Sequence, residues 1–176
     1  NSPSRPKLAC EIAPDRVIAA RVAESCQVLE LCSTSELAPG CVLPDLTESN
    51  LRQREPVIQA LREAINGVGG RSHDIVAVLP DAAVRVVLLD FETLPVNHEE
   101  AEGVIRFRLR KSLPFDVDKA RVSYQAQTSS GTVRVMAAVV LNSVLQEYES
   151  AIREAGFSPG VVLPSMLAAL GGAPAD

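Results

Sequence analysis

The side chains best suited to chemistry are concentrated in one short segment, residues 99–111. Three glutamates come first and four basic residues follow: Glu99, Glu100, Glu102, Arg106, Arg108, Arg110 and Lys111. Neighbouring carboxylates can serve as a general acid and base, and a basic cluster can dock an acidic partner or anionic lipid. An acidic start and a basic end, however, also match the two ends of a helix dipole. We therefore predict a helix with solvent-facing glutamates, and docking at its basic end stays an open alternative.

Other catalytic and metal-binding patterns are missing from the sequence. His73 and His98 are the only histidines and show no metal-ligand spacing, and no Gly-x-Ser-x-Gly elbow occurs. The four cysteines contain no Cys-x-x-Cys pair: Cys10, Cys26, Cys32 and Cys41. We interpret them as small buried residues of early strands, with a disulfide as the alternative.

The composition argues against a nucleic-acid-binding or membrane-spanning protein. With 176 residues and 47% hydrophobic content, the chain is long enough for one good core or two small subdomains. A net charge of −5 and only 3% aromatic residues argue against a nucleic-acid surface. No apolar run approaches the roughly 20 residues that span a bilayer, and no signal peptide opens the chain. These features predict a cytoplasmic protein.

Apolar periodicity places helices and strands at both ends of the chain. Three short strands are predicted first, at Leu8–Ala13, Val17–Ala23 and Gln27–Cys32. Amphipathic helices are predicted from Glu55 to Val68 and from Val144 to Ala155, the second capped by Asn142. A strand at Gly160–Leu163 and a short helix at about Ser165–Leu170 follow, and Gly40–Leu43 could add a short edge strand.

A separate set of strands and a helix is predicted for the middle of the chain. Two strands, Ile75–Leu79 and Ala82–Phe91, precede the charged helix, and Pro114 follows that helix. The helix should bury the stripe Ala101, Val104, Ile105 and Leu109, with Phe107 at its margin. An alternating strand around Tyr124 then turns at Thr128–Gly131 into the apolar run Val133–Leu141, as expected of a hairpin.

In this order the elements resemble the first half of the PilM-like proteins, the actin-fold ATPases of type IV pilus assembly related to FtsA. The residues that carry the likeness are Leu79-Pro80, Leu94-Pro95, Glu99-Glu100, Leu113-Pro114-Phe115 and Tyr124. The resemblance extends from about Leu8 to about Leu170. It implies a mixed α/β fold: an actin-like (ribonuclease H-like) subdomain with an inserted strand-helix-strand-strand subdomain.

The resemblance also implies domain limits. Residues 7–80 and 132–171 would form the first actin-like subdomain, and residues 82–127 the inserted one. Residues 1–6 and 172–176 would be flexible termini. Because such proteins continue into a second actin-like half, we expect this chain to be a half-molecule.

In the resembled family, the first hairpin turn is a phosphate-binding loop with an acidic residue, a glycine and a hydroxyl residue. Here Ala13 replaces the glycine, Pro14 removes a backbone donor and Asp15 adds a negative charge. The sequence therefore predicts a degenerate phosphate loop and no cofactor in this chain. Binding of ATP and magnesium stays open for a full-length homologue.

The function that the resemblance implies is a non-catalytic cytoplasmic scaffold at the inner face of the inner membrane. Such a scaffold binds the short cytoplasmic tail of an inner-membrane pilus protein of the PilN type, in a groove between the two subdomains. The residues predicted near that groove are Arg85, Val87, Leu89, Phe107 and Arg110. Membrane association would be only through partners, and self-association is left open.

Two alternatives remain at this point. The chain could be the nucleotide-binding half of an actin-like ATPase, although residues 13–15 argue against it. It could also be the cytoplasmic part of a type II secretion L-type protein, which shares the subdomain arrangement.

Overall fold

The computed structural model describes residues 6–23, 28–70, 72–129 and 131–171. Within these residues the chain is a mixed α/β fold with two sheets, as the sequence predicts. In chain order the elements are β1 (Leu8–Ile12), β2 (Arg16–Val22), β3 (Leu29–Glu36), α1 (Arg54–Val68), β4 (Asp74–Leu79), β5 (Arg85–Phe91), α2 (His98–Leu109), β6 (Ala120–Ser129), β7 (Thr132–Leu141), α3 (Asn142–Glu154), β8 (Ser158–Pro164) and α4 (Ser165–Gly171).

The larger sheet has the strand order β3-β2-β1-β4-β8 and, with α1, α3 and α4, forms what we call the five-stranded unit. β1 is antiparallel to β2 and parallel to β4, and β8 is parallel to β4. Alternate residues of these strands, among them Cys10, Ile12 and Val17, are buried in one core with α1 and α3. The apolar spacing of those two helices produces this packing, since every third or fourth residue faces the sheet.

The smaller sheet has the order β5-β7-β6 and, with α2, forms the three-stranded unit. Ala101, Ile105 and Leu109 are the buried residues of α2. Ile105 and Leu109 pack with residues of the loop before β6 and of β6 and β7: Val117, Ala120, Val122, Val135, Ala137 and Val139. The side chain of Asn97 caps the helix by accepting hydrogen bonds from the backbone N–H groups of Glu99 and Glu100, at 2.9 and 3.3 Å.

The predicted boundary between the two subdomains is wrong at residues 127–132. β7, assigned from sequence to the larger subdomain, pairs along its length with β6 and β5 in the smaller sheet. The reason is the tight hairpin itself, because antiparallel strands joined by a short turn pair within one sheet. Only the end of β7 reaches the larger core, where Val140 is buried. The three-stranded unit therefore spans residues 85–141.

Several smaller predictions also need correction. β3 continues to Glu36, and the predicted strand at Gly40–Leu43 is reduced to one bridge between Val42 and Leu51. Asn142 is the first residue of α3 and does not cap it. Val104 lies outside the buried stripe of α2 and is 39% exposed.

Some predictions fall outside the described part of the chain. Gln27, Cys26 and both predicted flexible termini, except Pro6, lie there. Of the other cysteines, Cys10 and Cys41 are buried as expected, whereas Cys32 is exposed, and all three are free thiols. Burial raises the pKa of the Cys10 thiol to about 12. None of the helices in the described ranges has both the length and the apolar character needed to cross a bilayer.

Candidate functional site: a groove between the two sheets

A groove of about 370 Å³ separates the three-stranded unit from β8 and α4 of the five-stranded unit. On one side it is lined by β6 and by the face of β7 that points away from α2. On the other side it is lined by the end of β8 and the first turn of α4. The lining residues are Ser123, Tyr124, Gln125, Met136, Ala138, Leu163 and Leu167. The wall is therefore mixed, with apolar side chains from both units and polar side chains from β6.

A smaller and almost wholly apolar pocket of about 80 Å³ adjoins the groove. The two cavities share Ser123, Ala138 and Leu163, so the pocket is a side branch of the groove. Its other lining residues are Leu79, Val84, Arg121, Val140, Leu145, Val162 and Pro164. Arg121 is exposed and has no ion-pair partner among the described residues, which places an unpaired cation beside an apolar pocket.

Both strands that border the groove are edge strands. β6 is the last strand of the smaller sheet and β8 the last strand of the larger one. An edge strand has backbone N–H and C=O groups with no partner inside its own sheet, and these can pair with an added strand. β6 suits this better than β8, because Pro159 and Pro164 in β8 cannot donate hydrogen bonds. Three consecutive β6 residues, 123–125, line the groove.

The wall formed by α4 is held in place by two carboxylates of the larger unit. Glu11 accepts a hydrogen bond from the Ser165 hydroxyl at 2.7 Å. Asp81 accepts one from the backbone N–H of Met166 at 2.8 Å, at the start of the helix. These two contacts fix the first turn of α4 against β1 and β4, so Leu167 is presented to the groove.

The five residues predicted from sequence near the groove do not line it. Val87 and Leu89 point to the opposite side of the smaller sheet, where they pack against the core under α2. Arg85 is exposed at the start of β5, two strands away from β6. The assignment failed because β5 is apolar on both faces, and alternation could not show which face met α2.

Phe107 and Arg110 lie on α2, on the far side of the smaller sheet from the groove. Phe107 is 67% exposed, so it does not contribute to the core edge. Arg110 makes an exposed ion pair with Asp118 at 3.3 Å. Both residues are accessible to solvent, but neither lines the groove.

The groove residues of β6 and β7 were missed by the sequence analysis. Their signal was the alternation of β6, in which Arg121, Ser123 and Gln125 share one face. The sequence analysis used that alternation only to place a strand of a hairpin. What turns this face into a groove wall is the position of β8 and α4, which come from a distant part of the chain.

The predicted phosphate loop is a plain hairpin turn between β1 and β2. The Ala13 N–H donates to the Arg16 carbonyl at 2.9 Å, and Pro14 has no N–H to offer. The Asp15 carboxylate accepts hydrogen bonds from the Arg16 guanidinium, which holds the pKa of Asp15 below its usual range. The Glu11 carboxylate is engaged with Ser165. At this turn the Ala13 N–H is engaged and Pro14 has none, so neither residue has a backbone donor free for a ligand.

No group of three or more His, Cys, Asp or Glu side chains in the described residues could hold a metal ion. His73 contacts the Gly156 carbonyl through Nδ1 at 3.1 Å, and His98 stacks on Tyr124 with ring centroids 5.1 Å apart. Both histidines therefore have structural contacts.

Comparison with known proteins identifies the fold through structure alone. No protein-family model and no curated protein matches the chain. A chain of the PilM-PilN type IV pilus biogenesis complex superimposes with a TM-score of 0.82 and 19% identity, over 96% of this chain and 50% of that one. The cytoplasmic domain of EpsL, an inner-membrane component of the type II secretion system of Vibrio cholerae, superimposes with a TM-score of 0.58 and 15% identity, over 92% of this chain and 58% of that one.

The chain thus spans about half the length of each of these two structures. At 19% and 15% identity the likeness concerns the fold. It covers both units, since 96% of the chain is included in the PilM-PilN superposition. The chain therefore has the actin-like fold of PilM, which confirms the resemblance of its sequence at the level of fold.

Proposed function

We propose that this chain is a non-catalytic component of a type IV pilus or type II secretion assembly complex, and that its groove binds an extended cytoplasmic tail of an inner-membrane partner of the PilN type. The observation that carries the proposal is the groove between the edge strands β6 and β8, in a fold shared with a PilM-PilN complex. The partner would hold the chain at the cytoplasmic face of the inner membrane.

The groove has the features that an extended peptide requires. The free edge of β6 supplies a row of backbone donors and acceptors, which give affinity with little dependence on sequence. Side chains at alternate positions of the peptide would face the groove wall, and the apolar side pocket would take one aliphatic side chain. Arg121 beside that pocket favours an acidic group in the same stretch of the tail.

The PilM-like alternative is favoured over the type II secretion alternative by the comparisons. The superposition with the PilM-PilN chain has a TM-score of 0.82, against 0.58 for EpsL. Because both likenesses concern the fold, the choice between the two systems depends on which tail the groove accepts. Tails from both kinds of inner-membrane protein are therefore the natural probes.

The first experiment is a calorimetric titration of the chain with a synthetic peptide from the cytoplasmic tail of a PilN-type protein of the same organism. We expect saturable binding, with a dissociation constant on the order of micromolar. Ser123→Trp should weaken binding at least about tenfold, because Ser123 is exposed and lines both the groove and its side pocket. A large ring there fills the groove without entering the core.

Arg110→Ala is the matched control and also tests the site predicted from sequence. Arg110 is exposed, like Ser123, but lies at the end of α2 and outside the groove, so the groove proposal expects unchanged affinity and melting temperature. If Arg110→Ala weakens binding and Ser123→Trp does not, the tail binds at α2 and the groove assignment is wrong. If a folded wild-type chain binds neither a PilN-type tail nor a type II secretion tail, the proposed function is wrong.

We also propose that the chain does not bind ATP by itself. The support is the β1–β2 turn, where the Ala13 N–H is engaged with the Arg16 carbonyl, Pro14 has no N–H, and Asp15 adds a carboxylate. A thermal melt with and without magnesium and ATP tests this, and we expect no change in melting temperature. A reproducible rise in melting temperature with magnesium and ATP would contradict the proposal.

A further inference from the structure

The exposed face of α2 has apolar side chains and a glycine that the rest of the chain does not explain. Phe107 is 67% exposed and Val104 is 39% exposed. A Cβ atom placed on Gly103 would meet nothing within 4 Å, so no internal packing requires a glycine there. Glycine in a helix interior costs about 1 kcal/mol relative to alanine. The face thus combines exposed apolar area with an unfilled space beside it, as expected where another molecule packs closely.

Most of the basic residues at the end of α2 already have partners inside the chain. Arg106 pairs with Glu102 at 2.7 Å, and Arg110 pairs with Asp118 at 3.3 Å. The Arg108 guanidinium lies over the Phe91 ring, 5.8 Å from its centroid. Lys111 has no ion-pair partner among the described residues, and the same holds for Glu100 at the other end of the helix.

These two unpaired charges and the two apolar residues share one helical face. Glu100, Val104, Phe107 and Lys111 follow the spacing i, i+4, i+7 and i+11. Lys111 comes just after α2, but Arg110 still has helical dihedral angles, with φ −50° and ψ −34°, so the spacing continues to it. Along the helix, this face carries an acidic residue, two apolar residues and a basic residue in that order. Their spacing is symmetrical about the point midway between residues 105 and 106.

We propose that this face is the contact between two copies of the chain, with their α2 helices antiparallel. In that arrangement Glu100 meets Lys111 of the second copy, and Val104 meets Phe107 of the second copy. Each pair occurs twice around the two-fold axis, as an isologous interface requires. Gly103 leaves room for the Phe107 ring of the second copy. A parallel arrangement would instead set Glu100 against Glu100 and Lys111 against Lys111.

A second copy fits this face better than an acidic partner does. The cations that would attract an acidic partner are engaged with Glu102, Asp118 and Phe91, which leaves Lys111 alone. The contact is small, since a helix of 12 residues is about 18 Å long. We therefore expect the two helices to bury much less surface than the roughly 1,600 Å² of a standard stable interface. The dimer should accordingly be weak and depend on concentration. This inference is independent of the groove.

The test is sedimentation analysis of the 176-residue chain over a concentration series up to about 1 mM, with a charge-exchange design. Glu100→Lys and Lys111→Glu each replace both attractive pairs by repulsive ones, so each should weaken the dimer about fivefold to tenfold. The double variant restores both pairs with reversed signs and should return to wild-type dissociation. Phe107→Ser should weaken the dimer as strongly as a single reversal.

Leu88→Ser is the matched control, because Leu88 is 68% exposed but lies on β5, away from this face. It should leave the dimer unchanged, and Phe107→Ser should leave binding of the tail peptide unchanged. Thermal melts confirm that each variant is folded. A wild-type chain that stays monomeric to 1 mM overturns the proposal. The proposal is also overturned if neither charge reversal weakens the dimer, or if the double variant does not restore dimerisation.

Discussion

The five-stranded unit packs two long helices, α1 and α3, on its sheet, whereas the three-stranded unit packs the single helix α2. The larger unit also satisfies its buried polar groups internally. Asn50, which is fully buried, accepts a hydrogen bond from the Tyr148 hydroxyl at 2.9 Å and donates to two carbonyls of its own loop. Burial raises the pKa of Tyr148, so the hydroxyl keeps the proton that it donates.

The three-stranded unit, although it is the smaller one, exposes two large apolar side chains and a strand edge. Phe107 and Leu88 are each about two-thirds exposed, on opposite sides of the unit. The free edge of β6 borders the groove. Because its core is larger, we expect the five-stranded unit to supply most of the stability, while the three-stranded unit presents the α2 face and the β6 edge to other molecules. Four measurements test this difference between the two units.

The largest expected effect is on the two cores. Leu61 on α1 and Ile105 on α2 are both fully buried, and replacing either with alanine leaves a cavity. We expect Leu61→Ala to lower the free energy of unfolding by about 3–5 kcal/mol and Ile105→Ala by about 2–3 kcal/mol, because a thinner core collapses more readily into the space. Urea denaturation followed by circular dichroism measures both. A larger loss for Ile105→Ala than for Leu61→Ala would show that the larger unit does not supply most of the stability.

The next effect concerns the polar support of the larger unit. Asn50→Ala leaves the Tyr148 hydroxyl and two loop carbonyls without their partner, so we expect a loss of about 1–3 kcal/mol in unfolding free energy. Gln59→Ala is the control, since Gln59 makes one exposed hydrogen bond, to Glu63 at 2.9 Å. The control should change the unfolding free energy by less than about 0.5 kcal/mol. Equal losses in the two variants would show that the loop is not pinned by Asn50.

A smaller effect is expected on the surface of the three-stranded unit. Leu88→Ser should change the unfolding free energy by no more than about 0.5 kcal/mol, because its side chain is largely in water already. The same denaturation curves provide the value. A loss above about 1 kcal/mol would mean that Leu88 contributes to folding, and the smaller unit would then be less open than we describe.

The smallest effect is a pH dependence in the loop before α1. The backbone N–H groups of Thr47 and Glu48 donate to the Asp45 carboxylate and lower its pKa below the usual value. A lowered pKa contributes stability above the unfolded-state pKa, and this contribution is lost as the pH falls through the folded-state pKa. The stability gap between wild type and Asp45→Asn should therefore be largest near neutral pH and close below about pH 4. Melting curves from pH 7 to pH 2 test this, and a gap that widens in acid would contradict it.

Much of the fold could be predicted because its elements have strong local patterns. The apolar spacing of α1, the charge order of α2 and the hairpin before Val133 each agree with the structure to within a few residues. The subdomain boundary was wrong because it was placed inside the predicted hairpin, although two strands joined by a tight turn pair within one sheet. The groove was missed for a related reason, since its walls come from β6, β7, β8 and α4.

The sequence alone predicts the element order, the mixed α/β class and the likeness to PilM. These depend on period, capping and turn residues, which act over a few positions along the chain. Three other features depend on packing in the folded protein. Val87 and Leu89 point into a core, Ser123 and Ala138 face a groove, and Phe107 is exposed to solvent. The physical reason is that a strand with apolar residues on both faces, such as β5, shows no alternation in its sequence. Which face meets a helix and which meets another sheet is then set by packing between distant segments.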